Sequence, residues 1–216
     1  MEQRTALIIG ASGLTGRLLV QQLLINDHYA AVTIYVRKSL QINHPKLNEL
    51  MIDFDTINTS VNADDIYCCL GTTIKIAKSK EAFEKVDRYY PVKIAQLQKN
   101  AGSKQFLVIS AIGASATSSI FYSKTKGLME DDLKEIGFDA LYILRPSFIK
   151  GERKEKRLGE KIGLFISTII APLFIGPLRN YAPVKASAII ACMVSKAFEN
   201  NAGTFTILSG EIKNWE

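Results

Sequence analysis

Apolar residues come in short unbroken runs, separated by longer stretches in which they recur at helical spacing. The first run, Thr5–Ile9, ends in glycine and has the continuous apolar character of a strand buried on both faces. Runs at Ala31–Val36, Ile66–Leu70, Phe106–Ile109, Ala140–Leu144 and Thr204–Leu208 predict further strands, and a short one is expected at Leu50–Ile52. Thr15–Asn26 puts Leu18, Leu19, Leu23 and Leu24 on one helical face. Helices are also expected over Lys80–Asn100, which Gly102 closes, over Tyr122–Ile136 and over Lys185–Asn200. Pro91 lies inside the first of these three; without an N–H it predicts a kink or a helix restart.

Strands alternating with helices of this length specify an α/β fold, a Rossmann-type doubly wound, mostly parallel sheet with helices on both faces. Right-handed crossovers then put the ligand crevice at the carboxyl ends of the strands. A chain of 216 residues suits one domain, 1–216, with a small substrate or lid region at about 147–183.

The chemistry falls at those strand ends. Gly10-Ala11-Ser12-Gly13-Leu14-Thr15-Gly16 follows the first strand and opens the first helix. Glycines there permit a tight turn, close approach of a diphosphate and close helix–strand packing. The helix N-terminus adds unpaired N–H groups and a partial positive charge. Gly10, Ser12, Gly13, Leu14, Thr15 and Gly16 are therefore expected to hold a dinucleotide. The spacing is G-x-x-G-x-x-G, not the G-x-G-x-x-G of many dehydrogenases.

The second strand ends in Arg37 and Lys38, and no acid occurs between Asp27 and Glu49. An acid there would favour a free ribose 2′-hydroxyl, whereas an arginine fork and a lysine charge favour a 2′-phosphate. NADPH is the expected cofactor, with NAD as the second candidate. Asp53, just after the third strand, is placed to reach the adenine. Leu70, Gly71 and Thr72, after the fourth, should run along the cofactor. Pro146, after the sixth, lies near the expected nicotinamide.

Tyr122 and Lys126 are four residues apart on a predicted helix and share a face. A phenol with a pKa of about 10 is a poor acid near neutral pH, and a neighbouring ammonium makes it a better one. Lys126 can also hold the nicotinamide ribose, and Ser110, ending the fifth strand, is placed to orient a substrate carbonyl. The loop Ser110–Ser119 is small and polar, as mobile active-site loops are.

Together these residues resemble the short-chain dehydrogenase/reductase superfamily, most closely its atypical members like the Tat-interacting oxidoreductase family. The stretches that carry the resemblance are GASGLTG, CCLGTT, EAFEKVDRYYPVKIA, FLVISAIGA, YSKTKG, LYILRPS and GERKEKRLGE, over about residues 5–160. The resemblance implies an NADPH-binding Rossmann domain with a Ser110, Tyr122 and Lys126 set. Two functions fit it. One is an NADPH-dependent reductase acting on the carbonyl of an apolar small molecule. The other is an NADPH-occupied regulatory sensor that acts through a protein partner with little turnover.

Composition narrows the setting. The formal charge is +6, and residues 145–185 hold nine Lys/Arg against three Asp/Glu, so the excess is local. A basic patch attracts phosphate, anionic membrane or nucleic acid; the plainer reading is a solvated loop facing an anionic cofactor or substrate. No nucleic-acid motif accompanies it, and nucleic acid is not an expected partner. Ile162–Gly176, broken by Pro172 and flanked by basic residues, is short for a membrane span. It reads as the apolar inner wall of a lid, as a dimer face, or as a peripheral membrane helix. Monomer and homodimer both stay open. His28 and His44 lie in early loops, which argues against a histidine triad or histidine metal site. A secretory leader is not expected, because the first strand begins almost at once, and Cys68, Cys69 and Cys192 read as buried thiols of a reducing compartment, so a cytoplasmic location is expected.

Overall fold

The computed structural model describes residues 3–150, 180–199 and 201–216. Its strands are β1 (Arg4–Ile9), β2 (Tyr29–Val36), β3 (Leu47–Met51), β4 (Asp65–Cys68), β5 (Gln105–Ile109), β6 (Ala140–Arg145), β7 (Ile149–Lys150), β8 (Val184–Lys185) and β9 (Gly203–Leu208). Seven form one sheet in the order β3-β2-β1-β4-β5-β6-β9, with every pairing parallel; β7 and β8 make a separate two-residue pair. The chain winds outward from β1 to β3 on one side and restarts at β4 on the other. The topological switch point therefore lies between the carboxyl ends of β1 and β4.

Strand periodicity explains why both faces are covered. Ala6 and Ile8 of β1 join Ile34, Tyr67, Leu107 and Tyr142 in one cluster. That face is closed by α1 (Leu14–Leu24), through Leu19, Val20 and Leu23, and by the apolar helix Ala186–Ala197. Leu7 and Ile9 point the other way, to Ile66, Cys68, Phe106, Val108 and Ile143. There the covering helices are Tyr90–Asn100, through Ile94 and Ala95, and Phe121–Ile136, through Met129 and Leu133. Two buried layers on an all-parallel sheet account for the unbroken apolar strands.

The expected elements shift at their edges. The third strand starts at Leu47 rather than Leu50, because an edge strand exposed on one side needs no apolar run. The expected single helix over 80–100 is three elements: α2 takes Ile74–Ala77 before it, α3 takes Lys80–Glu84, a π-helical turn takes Lys85–Tyr89, and α4 takes Tyr90–Asn100. Pro91 accounts for this break, since it cannot donate to the carbonyl of Asp87 four residues back. Instead the N–H of Tyr90 reaches Lys85, five residues back. Phe121–Ile136 is α5, Ala186–Ala197 is α6, and a short α7 occupies Ser209–Ile212. The apolar segment 162–176, its basic flank 153–161 and Arg179 lie outside the described residues. Among the described residues no helix is long and apolar enough to cross a membrane.

Candidate functional site

The glycine loop sits at the switch point. Gly10 has φ +83°, and a Cβ there would lie 2.6 Å from the Cys69 carbonyl carbon. Only glycine combines that dihedral with such close contact to the end of β4. A Cβ on Gly16 would lie 2.2 Å from the Gly10 carbonyl oxygen, so the first turn of α1 rests directly on the loop. Gly13 caps α1 without a side-chain bond, and no acid occupies the first turn. Ser12 and Gly13 are exposed, Leu14 is half-buried, and Thr15 and Gly16 are buried. The result is a solvent-facing helix N-terminus that no carboxylate fills among the described residues, and these residues fit a diphosphate. Arg17, which sequence reasoning overlooked, lays its Nε 3.1 Å from the Ser12 carbonyl and adds positive charge beside the loop.

Arg37 and Lys38 are exposed at the end of β2 and make no side-chain hydrogen bond or ion pair among the described residues. Asp53 is exposed after β3, and its carboxylate accepts from the backbone N–H of Asp55 (3.0 Å) and the Thr56 hydroxyl (3.3 Å). It shapes the turn that leaves the strand.

On α5, Tyr122 and Lys126 share a face. Tyr122 is 37% exposed, packs on Phe83 at 5.6 Å between ring centroids, and its hydroxyl bonds nothing among the described residues. Lys126 is buried, and its Nζ lies 2.8 Å from the Asp87 carboxylate; side-chain exposures are 4% and 1%. Burial opposes the lysine's charge, but Asp87, then Tyr122, outweigh it and hold the amine above its ordinary value. The other Asp87 oxygen accepts from the backbone N–H of Thr72 at 2.8 Å, and Gly71 lies against it. Leu70, Gly71 and Thr72 thus border the crevice, tied through Asp87 to the lysine. Asp87 went unnoticed in the sequence, although Pro91 four residues on marked an irregular helix.

Ser110 behaves differently from expectation. Its hydroxyl donates to the buried carboxylate of Glu130, which also accepts from Arg145 Nε at 3.0 Å. The proton expected to orient a substrate carbonyl is committed to a charged acceptor, which holds it more strongly than a neutral carbonyl would. Through this bond Ser110 also ties together the ends of β5 and β6. Glu130, four residues after Lys126, carried a signal: an acid on a helical face otherwise set by Thr125, Met129 and Leu133.

The Ser110–Ser119 loop is tied to its neighbours at two points. Ile112 N–H bonds the Pro146 carbonyl at 2.9 Å, and Ser115 N–H bonds Ser123 at 3.0 Å. A Cβ on Gly127 would lie 2.1 Å from Ser115, so α5 carries the loop directly. Of the cysteines, Cys68 and Cys192 are buried and Cys69 only half-buried. Burial pushes the Cys68 thiol up to about 11, so it is inert near neutral pH.

Fold, switch point and glycine loop define a Rossmann-type NAD(P)-binding protein. The chain belongs to the NAD(P)H-binding family, whose profile matches residues 10–169. It is 35% identical to Protein HTATIP2 of Rattus norvegicus over 167 residues, covering 74% of this chain and 69% of the relative. It is 34% identical to Protein FMP52, mitochondrial, of Candida albicans over 164 residues, covering 72% of each. Among solved structures, UDP-glucuronic acid 4-epimerase from Bacillus cereus in complex with NAD superposes with a TM-score of 0.69 at 17% identity, covering 96% of this chain and 78% of that one. The cytoplasmic expectation is overturned by the fungal relatives, several of which are named mitochondrial. Three reduced thiols fit any reducing compartment and cannot separate one from another.

Proposed function

We propose that this chain is an NADPH-dependent oxidoreductase that reduces the carbonyl of a small, apolar molecule. The observation that carries the reading is the Tyr122–Lys126 pair: a free phenol at the crevice, with a buried, charged amine on the same helical face. Gly10, Ser12, Gly13, Leu14, Thr15 and Gly16 hold the diphosphate, Arg37 and Lys38 the 2′-phosphate, and Leu70, Gly71 and Thr72 line the cofactor's path, with Pro146 near its reactive end. The dinucleotide, when bound, supplies the hydride. Tyr122 donates the proton to the carbonyl oxygen, and Lys126 stabilises the phenolate left behind. Asp53 supports the adenine end by shaping its turn.

The region 147–183 is read as the substrate lid of a single domain. Its two ends meet at the crevice: Ser147 Oγ donates to the Ala182 carbonyl at 2.6 Å, and Val184 N–H to the Phe148 carbonyl at 2.9 Å. Kinship with the FMP52 proteins supports a mitochondrial setting.

One observation favours the sensor reading: the Ser110 hydroxyl is already bound by Glu130, which leaves the carbonyl one donor short. NADPH oxidation against a panel of aldehydes, ketones and quinones, with Tyr122→Phe alongside, separates the two. The expected result is turnover that falls about a hundredfold or more in Tyr122→Phe while NADPH affinity holds. Unchanged turnover in that variant overturns the mechanism, and tight NADPH binding with no turnover in the native chain supports the sensor.

A further inference from the structure

The segment after Thr72 is firmly held yet contributes nothing to the core. The Thr73 hydroxyl accepts from the Ile76 N–H at 3.2 Å and opens α2; the Ser79 hydroxyl accepts from the Ala82 N–H at 3.1 Å and opens α3. No residue of α2 is buried: Ile74 is 42% and Ile76 54% exposed. Ile120, two residues before Tyr122, is 64% exposed. A single exposed isoleucine needs no explanation, but these three gather around one place. α2 packs on α3, and α3 reaches the start of α5. Its buried Phe83 ring lies 5.7 Å from that of Phe121 and 5.6 Å from that of Tyr122, and Lys80 Nζ stands 5.3 Å from the Phe121 ring. The isoleucines therefore flank the approach to the Tyr122 hydroxyl.

Charge at this rim is one-sided. Lys75, Lys78 and Lys124 are exposed and make no ion pair among the described residues. With Lys80 they outnumber Glu81 and Glu84, the acids of α3. Apolar side chains beside unpaired ammonium groups match a ligand that is apolar along its body and anionic at one end. We infer that the rim binds an anionic amphiphile. Its chain lies on Ile74, Ile76 and Ile120, and its anionic end meets Lys75, Lys78 and Lys124. This names the substrate class of the proposed reductase, an apolar chain with a carbonyl and an anionic group. It rests on that reading for turnover, whereas binding at the rim is measured without it.

The test is fluorescence titration with cis-parinarate and with its methyl ester, both in the presence of NADPH. The acid is expected to bind about fivefold tighter than the ester at low salt, and high salt should narrow the gap. Ile74→Ser combined with Ile76→Ser should weaken both ligands about tenfold or more. Lys75→Gln combined with Lys78→Gln should weaken the acid alone, and this wholly exposed pair keeps the test open if the serine variant does not fold. Equal affinity for acid and ester, or binding that neither pair of substitutions alters, overturns the inference. Unchanged binding with a lower Tm in the serine variant shows the isoleucines covered by the protein's own chain. Unchanged binding with a dimer turned to monomer shows them covered by a second copy. Either result also overturns it. NADPH oxidation with ω-oxododecanoate and with dodecanal runs in parallel, each aldehyde taking a hydride from NADPH and a proton through Tyr122 to become its alcohol. A preference for the charged aldehyde that the lysine pair of substitutions abolishes supports the inference, and turnover without preference counts against it. The expected parinarate binding with no turnover of either aldehyde supports the rim and counts against the reductase reading.

Discussion

Gly13 and Gly16 look equivalent in the loop, yet the structure gives them separable duties. A methyl group on Gly16 would lie 2.2 Å from the Gly10 carbonyl oxygen and 2.8 Å from the Ala11 Cα. Both neighbours are backbone and cannot swing aside, so α1 must retreat by about 1 Å, and overpacking of this kind costs about 1–3 kcal/mol. A methyl group on Gly13 meets only the Gly10 oxygen, at 3.4 Å, an ordinary contact, and Gly13 already has φ −76°. The protein tolerates that change at the cost of a weaker helix cap, up to about 1 kcal/mol. The methyl then stands on the exposed side of the loop, where the diphosphate must come close.

Gly13→Ala is therefore expected to move Tm by no more than about 3 °C while weakening NADPH binding by about tenfold to a hundredfold. Gly16→Ala should lower Tm by about 5 °C or more and weaken binding as well. Thermal melting and isothermal calorimetry with NADPH read the two effects separately. Native affinity in Gly13→Ala would mean that the diphosphate does not sit on this loop, and the assignment of the crevice would fail with it.

Arg37→Ala removes a forked, charge-assisted contact, so NADPH binding should weaken by about tenfold to a hundredfold while NADH binding changes little; calorimetry with both nucleotides checks this. Asp65, fully buried, has its carboxyl raised from 3.8 to about 6, chiefly by burial, against the opposing bonds from Tyr29, Arg4 and Gln105. A raised value means that the folded state binds the proton more tightly, so this stability is present below about pH 4 and lost as pH rises through 6. Relative to Asp65→Asn, the native chain should lose on the order of 3 kcal/mol between those limits, read by urea unfolding at a series of pH values; a flat difference would refute it.

The strands at the centre of the sheet were legible because burial on both faces leaves no polar alternation to blur them, and the glycine loop because tight turns admit so few residues. Edge strand β3 was displaced because LNELM has one wet face and no apolar run. The helix over 80–100 was legible as helix, but its register was not. Pro91 announces a break without saying which residue the extra turn will rotate inward, and that residue was Asp87. Ser110 was placed correctly at the end of its strand, yet its hydrogen bond could not be read. Glu130 lies twenty residues downstream, and only the packing of α5 on the sheet brings the two together.

The two ends of the sheet argue for where the function lies. At the amino ends of the strands, Arg4, Tyr29, Asp65 and Gln105 come from four neighbouring strands and bond one another through the Asp65 carboxylate. Buried polar groups closed on themselves in this way leave nothing for a ligand to satisfy. At the carboxyl ends the pattern reverses. Asp87 and Glu130 are each enclosed: Asp87 holds a buried Lys126 on the helical face of Tyr122, whose part-exposed hydroxyl bonds nothing among the described residues, and Glu130 holds Arg145 beside Pro146. Among the described residues the α1 N-terminus has no side-chain cap, and Arg37 and Lys38 have no acid partner. Uncapped helix N–H groups and exposed cations gathered at one end fit an anion that would complete them. On the proposed reading, a dinucleotide laid across the switch point from β2 to β6 would supply its phosphates where those donors lie and bring its reactive ring toward Tyr122.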